Sequence, residues 1–235
     1  MKKIIVTGGS GRFGKTLQRY KSKFKIYYPT KSILNIKNFN SIDRYIKRIR
    51  PNYFIHCAAI SRPMEIHDKD INQSIDINII GTCNVVKACK KHKTKLVYFS
   101  TNYVYPKSKG IYSETDPIFP FNNYGWSKLG GEAAVQMYEN SLILRICMTE
   151  KPFVHKEAFY NVKSNFIFHE EVAQILFKVL SLKGILNIGG PAQSVFDFAK
   201  KYNSKVKKIK CNLKNIPLNS VMNISKLKKI YKLKF

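Results

Sequence analysis

The chain alternates short apolar runs with longer stretches in which apolar residues recur every three or four positions. Lys3–Thr7, Phe24–Tyr28, Tyr53–Ala58, Lys95–Ser100 and Ser141–Ile146 are compact runs of the length of buried strands. The spacing between them predicts helices over Phe13–Tyr20, Ile42–Ile49, Ile71–Lys91 and Tyr124–Tyr138. In the second of these, Ile42, Tyr45, Ile46 and Ile49 share one face. Apolar strands separated by helices predict right-handed crossovers around a parallel sheet. A turn-rich stretch with Pro106, Gly110, Pro117 and Pro120 separates the fourth strand from the fourth helix. After Met148 the pattern loosens. Helices are expected over Glu170–Leu180, Ser194–Tyr202 and Ser225–Tyr231, and strands over Gly184–Ile188 and Val206–Lys210. No Gly/Ser-rich or Pro-rich linker divides the chain, so a second lobe is expected to be built onto the first.

Composition narrows the class. The chain has 235 residues, 44% of them hydrophobic, with 15 Phe and 14 Tyr, which suits a folded core rather than disorder. No apolar run reaches the length of a membrane span. The run after Met1 ends at Gly8 and Gly9, too early for the apolar region of a signal peptide, so a cytoplasmic protein is expected. Five cysteines are scattered without a CxxC pair, so free thiols and no metal site are expected. The formal charge is +28. Lysine far exceeds arginine, and the stretch from Ser204 to Phe235 holds no acidic residue. Aromatic residues do not interleave with this charge as a stacking platform would require. The lysines are read as a solvated surface, with neither nucleic acid nor membrane as partner.

The first chemistry-bearing motif follows the first strand directly. Gly8, Gly11 and Gly14 are spaced GxxGxxG, with Arg12 and Phe13 inside the loop. Glycine there permits a tight turn, close approach of a pyrophosphate to the main chain, and packing of the next helix on the strand. The helix N-terminus adds free N–H groups and partial positive charge. The expected fold is therefore α/β, a Rossmann-like doubly wound parallel sheet with a small C-terminal substrate lobe. Residues 1–150 are expected to form an NAD(P)-binding domain, with residues 151–235 interleaved with it. The second strand ends in Tyr28-Pro29-Thr30-Lys31-Ser32, without the carboxylate that holds an NAD ribose. Thr30, Lys31 and Arg12 suit a 2′-phosphate, so NADP(H) is expected in preference to NAD(H).

The second motif is Tyr124-Gly125-Trp126-Ser127-Lys128. On a helix, positions i and i+4 share a face. An ammonium there favours a phenolate, lowering the tyrosine below its reference pKa of about 10 and suiting it to general acid–base work. Upstream, the fourth strand ends in Ser100-Thr101-Asn102-Tyr103, where ligands bind in open α/β sheets. The Thr101 hydroxyl is placed to hydrogen-bond a substrate carbonyl. The third strand ends in Cys57-Ala58-Ala59-Ile60-Ser61, whose small alanines allow a cofactor close access.

Together, TGGSGRFG, CAAIS, Asn78-xx-Gly81-Thr82, STNYVY and YGWSK resemble the extended short-chain dehydrogenases/reductases, and among them the dTDP-4-dehydrorhamnose reductases. The run from Glu114 through Pro117, Pro120, Tyr124, Lys128 and Glu132 also matches. So do Arg145, the Ile185–Pro191 stretch, and Met222–Leu227. The resemblance implies a catalytic trio of Thr101, Tyr124 and Lys128. It assigns Gly8, Gly11, Gly14, Arg12, Phe13, Ala58, Ala59, Ser61, Ser100, Tyr124 and Lys128 to the cofactor, and Ser61, Thr101, Asn102, Tyr103 and Tyr124 to the sugar. It also implies that residues 151–235 are a reduced substrate-binding lobe. Asn78 is implied to bend its helix. The implied reaction is hydride transfer to C4 of a nucleotide-diphospho-linked 4-keto-6-deoxy sugar, with Tyr124 protonating the new alkoxide. A homodimer is the oligomeric expectation.

The chain also departs from that family. It is shorter than typical members, and the difference falls after the fifth strand. Asn102 replaces an acidic residue after the catalytic threonine, and Met148–His155 does not match the sugar-binding loop. A regulatory subunit similar to the β subunit of methionine adenosyltransferase, or a nucleotide-sugar epimerase, shares the same scaffold. Trp126 is read as a packing residue. His155, His169, Lys151, Lys156 and Lys163 are read as structural or surface positions.

Overall fold

A computed structural model describes residues 1–107, 110–153, 155–213 and 216–232. Val154 and the last residues of the lysine-rich terminus, both covered by the expectations above, lie outside them. The main sheet has six parallel strands: β1 (Lys3–Thr7), β2 (Lys25–Tyr27), β3 (Tyr53–His56), β4 (Lys95–Thr101), β5 (Ser141–Ile146) and β6 (Gly184–Ile188). Their spatial order is β2-β1-β3-β4-β5-β6. The register sets Val6 beside Ile55 and Val97 beside Leu142.

Period-two alternation explains why these strands read as continuous apolar runs. Ile4, Val6, Ile55, Val97 and Leu144 enter one core layer, beneath α1 (Arg12–Arg19) and, later in the chain, the helix His169–Val179. Their neighbours Ile5, Phe54, Leu96, Tyr98 and Ile143 enter the opposite layer. There they meet α2 (Phe39–Ile49), α3 (Gly81–Lys91) and α4 (Asn123–Gln136). With both faces covered, the middle of each strand is apolar, and polar residues fall at strand ends, apart from Arg145 and Asn187. The sheet is thus Rossmann-like and doubly wound, as the sequence predicts.

Two details differ from the sequence reading. The expected helix Ile71–Lys91 contains a π-helical turn at Ile75–Ile80 ahead of α3. Asn78, fully buried in that turn, accepts from the Ile60 amide at 2.8 Å and donates to the Ile60 carbonyl at 3.0 Å. It also donates to Ser127 Oγ at 2.9 Å, tying the loop after β3 to α4. Among the described residues, three two-stranded sheets also lie outside the main one. They pair Met148–Thr149 with Ile167–Phe168, Glu157–Phe159 with Lys207–Ile209, and Lys163–Ser164 with Gln193–Ser194. Strands of two or three residues are too short for a period to show. Their core is a separate aromatic cluster of Phe153, Phe168 and Phe198 with Val206. The last major helix, α5 (His169–Val179), and β6 then return to the main sheet.

Candidate functional site

The chain order reverses at β1, which lies between β2 and β3. Connections leave the carboxyl ends of β1 and β3 in opposite directions, which opens a crevice there. A cleft of about 1100 Å³ occupies that edge and extends past β4 and β5 to the small sheets.

The glycine loop forms its first wall. Gly8 has φ 79°, and a Cβ there would stand 2.8 Å from the Ala58 nitrogen and the Cys57 carbonyl carbon. Only glycine lets the loop lie against the end of β3 in this conformation. The Gly11 amide donates to the Gly8 carbonyl at 3.0 Å, and among the described residues no side chain caps α1. Arg12, Phe13 and Gly14 border the cleft, so the first turn of the helix faces it with its N–H groups uncapped. Ala59, Ser61 and Ser100 line the cleft. Ala58 instead backs Gly8 and packs on the α2/α3 core layer. Thr30 and Lys31 are exposed beyond β2 and off the cleft wall, with Thr30 Oγ1 2.8 Å from Ser32 Oγ.

The second wall carries the tyrosine and lysine. Asn122 caps α4 by accepting from the Gly125 amide at 2.8 Å. A Cβ on Gly125 would meet the Tyr103 carbonyl oxygen at 2.5 Å, so glycine lets the helix start press against the end of β4. Thr101 is buried; its hydroxyl donates to Asn102 Oδ1 at 3.5 Å and accepts from the Tyr103 amide at 3.3 Å, and it acts on the Tyr124 phenol as a hydrogen-bonding neighbour. The Tyr103 ring meets the Tyr124 ring edge-on, with centroids 5.9 Å apart. Asn102 and Tyr103 occupy a 3₁₀ turn after β4, and both line the cleft. Burial pushes Tyr103 up to about 12.

The electrostatics differ from the sequence expectation. Burial raises the Tyr124 pKa above the ordinary phenol value, while the Thr101 hydrogen bond and the charge of Arg62 act against it. Lys128 is buried, with Nζ 4.2 Å from the centroid of the Tyr98 ring. Burial pushes it down to about 7, opposed by Cys57 and Glu132. The groups that favour the phenolate are therefore Thr101 and Arg62, because Lys128 turns to the Tyr98 face and is itself largely desolvated.

A buried polar network holds these walls in register. Glu132, one turn beyond Lys128, accepts from Ser100 Oγ at 2.5 Å and from Arg145 Nε and Nη2 at 3.0 and 2.6 Å. Arg145 Nη1 donates to the Tyr105 hydroxyl at 2.8 Å, and that hydroxyl donates to Asn187 Oδ1 at 2.8 Å. α4, β4, β5 and β6 are thereby joined directly behind Thr101.

Sequence reasoning missed three residues. Glu150 stands 3.6 Å from both Arg12 and Arg62, bridging the glycine loop to the segment after β5. His67 packs against Tyr124, with ring centroids 5.2 Å apart. None of the three residues Arg62, His67 and Glu150 belongs to a spaced motif; only the fold brings them together. His155, Lys156 and His169 line the cleft, His169 edge-on to Phe13 at 5.8 Å. Lys151 lies over the Phe168 and Tyr202 rings, away from the cleft wall. Trp126 is half-exposed on the outer face and packs edge-on against Phe119 at 5.6 Å.

The model of the RmlD substrate binding domain matches residues 1–155. A dTDP-4-dehydrorhamnose reductase of Aggregatibacter actinomycetemcomitans is 27% identical over 201 residues, covering 83% of this chain and 64% of that protein. Methionine adenosyltransferase 2 subunit beta of Pongo abelii is 28% identical over 157 residues, covering 62% of this chain and 46% of that protein. The chain thus spans less than two thirds of the length of these two curated relatives. The crystal structure of dTDP-4-dehydrorhamnose reductase from Bacillus anthracis in complex with NADP is similar over 100% of this chain and 95% of that one, with a TM-score of 0.89 and 27% identity.

Proposed function

The chain belongs to the RmlD substrate binding domain family, and we propose that it reduces the C4 keto group of a nucleotide-linked 4-keto-6-deoxy sugar with NAD(P)H. The observation that carries this reading is the meeting of Thr101, Tyr124 and Lys128 with the glycine loop on one cleft.

The residues fit a dinucleotide. The uncapped start of α1, beside Gly8 and Gly11 with no side chain in the way, suits a pyrophosphate, and Arg12 adds positive charge. Ala59 and Ser61 would border the nicotinamide, and Lys128 would meet the ribose. When bound, the cofactor supplies the hydride. The chain's own residues do the rest. Thr101 hydrogen-bonds the substrate carbonyl and orients it. As negative charge develops on that oxygen, Tyr124 donates its phenolic proton. The charge of Arg62 then stabilises the phenolate that remains. The missing carboxylate after β2 supports NADP(H) over NAD(H), with Arg12, on the cleft wall, as the partner for the 2′-phosphate. Residues 1–150 hold the cofactor in this reading, and the reduced lobe from 151 onward bears on the sugar nucleotide, through Lys156 at the far end of the cleft.

Likeness to a methionine adenosyltransferase β subunit supports a second reading, a non-catalytic regulatory subunit. One experiment separates the two. Purified protein is mixed with NADPH or NADH and dTDP-, UDP- or GDP-linked 4-keto-6-deoxy sugars, and nicotinamide absorbance is followed. Oxidation with one of them, lost in Tyr124→Phe, supports the reductase. Tight cofactor binding without turnover of any sugar supports the regulatory subunit.

A further inference from the structure

His67 lies on the short helix Ile66–Lys69, only 1% exposed. Its Nδ1 is 2.7 Å from Ser74 Oγ, whereas its Nε2 has no hydrogen-bond partner among the described residues. The same helix is pinned to the start of α4, because Asn123 Nδ2 donates to Asp68 Oδ1 at 2.8 Å. The imidazole packs on the Tyr124 ring, with centroids 5.2 Å apart and the planes tilted by 51°. A phenylalanine would fill that space without stranding a polar nitrogen. Leaving one unpaired in the interior carries a cost that packing alone does not require.

Proton donation leaves Tyr124 as a phenolate in a desolvated setting. Resting on the reductase reading above, we propose that His67 is a positioning residue that stabilises the Tyr124 phenolate as its Nε2–H tautomer, fixed by the Ser74 hydroxyl donating to Nδ1. The proton balance is simple. The phenolic proton passes from Tyr124 to the substrate oxygen, the hydride comes from NAD(P)H, and His67 gains and loses none. Burial lowers the His67 pKa, Asp68 opposes that shift and Lys128 reinforces it, so the ring is neutral near pH 7. The other groups around Tyr124 are Thr101, Arg62, Tyr103 and Tyr98. Two of these, Thr101 and Arg62, already favour the phenolate.

The test compares wild type with His67→Phe and Ser74→Ala in full-length protein. Three readouts are taken: steady-state kinetics against pH, ¹³Cζ-tyrosine NMR titration with Tyr124 assigned through Tyr124→Phe, and ¹⁵N-histidine spectra. His67→Phe is expected to lower kcat about tenfold without changing either KM. It should also move the basic limb of kcat and the Tyr124 midpoint upward by roughly half a unit or more. Ser74→Ala should shift both in the same direction by less, since the ring loses its tautomer lock while keeping its nitrogen. The wild-type spectrum should report His67 as the neutral Nε2–H form. A more heat-stable His67→Phe with unchanged kcat and an unmoved Tyr124 midpoint overturns the inference, as does an Nδ1–H tautomer. If the wild type reduces no keto sugar, the reductase reading fails separately, and the Tyr124 midpoint still decides the role of His67.

Discussion

Arg145→Met is the perturbation whose cost follows most directly from the structure. Arg145 is 2% exposed and its partner Glu132 is fully buried. The substitution removes both Arg145 bonds to Glu132, at 3.0 and 2.6 Å, and leaves the carboxylate with the Ser100 hydroxyl alone. It also takes the Arg145 donor from Tyr105, which keeps Asn187 and the Ser113 carbonyl. Orphaning one member of a buried ion pair costs about 3–5 kcal/mol. At this chain length each kcal/mol moves Tm by about 2–4 °C, so a drop of about 6–20 °C is expected. Replacing both partners, Glu132→Leu with Arg145→Met, removes the uncompensated charge and should return stability to within about 1–2 kcal/mol of wild type. Urea unfolding followed by circular dichroism, run as a double-mutant cycle, measures the coupling. A loss below about 1 kcal/mol in Arg145→Met, or a double variant as damaged as the sum of its parts, would show that the pair does not hold α4 to β5 and refute the reasoning.

Two further predictions concern α4. Lys128 sits at about 7 in the folded chain against 10.5 when unperturbed, so between those values the unfolded state binds more protons and stability should rise with pH. Lys128→Met removes that slope, raising Tm near pH 7 while abolishing turnover; thermal melts from pH 6 to 10 check it, and an unchanged slope would show that Lys128 is not desolvated. Gly125→Ala places a Cβ 2.5 Å from the Tyr103 carbonyl oxygen and 2.9 Å from Pro120 Cβ. The helix start must retreat, costing about 1–3 kcal/mol and displacing Tyr124, so kcat/KM should fall together with Tm.

The sheet was legible because its strands are buried on both faces. A run such as Lys95–Thr101, buried at every position, leaves no polar alternation to confuse with a helix. The π turn at Ile75–Ile80 was not legible, because its cause is Asn78 reaching Ile60 and Ser127, residues distant in sequence. The short paired strands after Met148 were missed for want of length. At the site, the glycine loop, Thr101, Tyr124 and Lys128 carry their own spacing and converge on one cleft. The electrostatics could not be read in advance. Spacing alone put the Lys128 ammonium beside Tyr124, whereas burial and the Tyr98 ring alter its charge, and Arg62 arrives from another loop. His67 showed nothing in sequence beyond being a histidine near Asp68.

The central claim is hydride transfer to a sugar carbonyl with Tyr124 as acid. The most direct measurement uses NADPH deuterated at C4 of the nicotinamide, on each face in turn, with the keto sugar that wild type turns over, and mass and NMR analysis of the product. A single deuterium at sugar C4 is expected from one of the two labelled faces, and no labelled product from Tyr124→Phe. Product without deuterium from either face, or full incorporation in Tyr124→Phe, would contradict it.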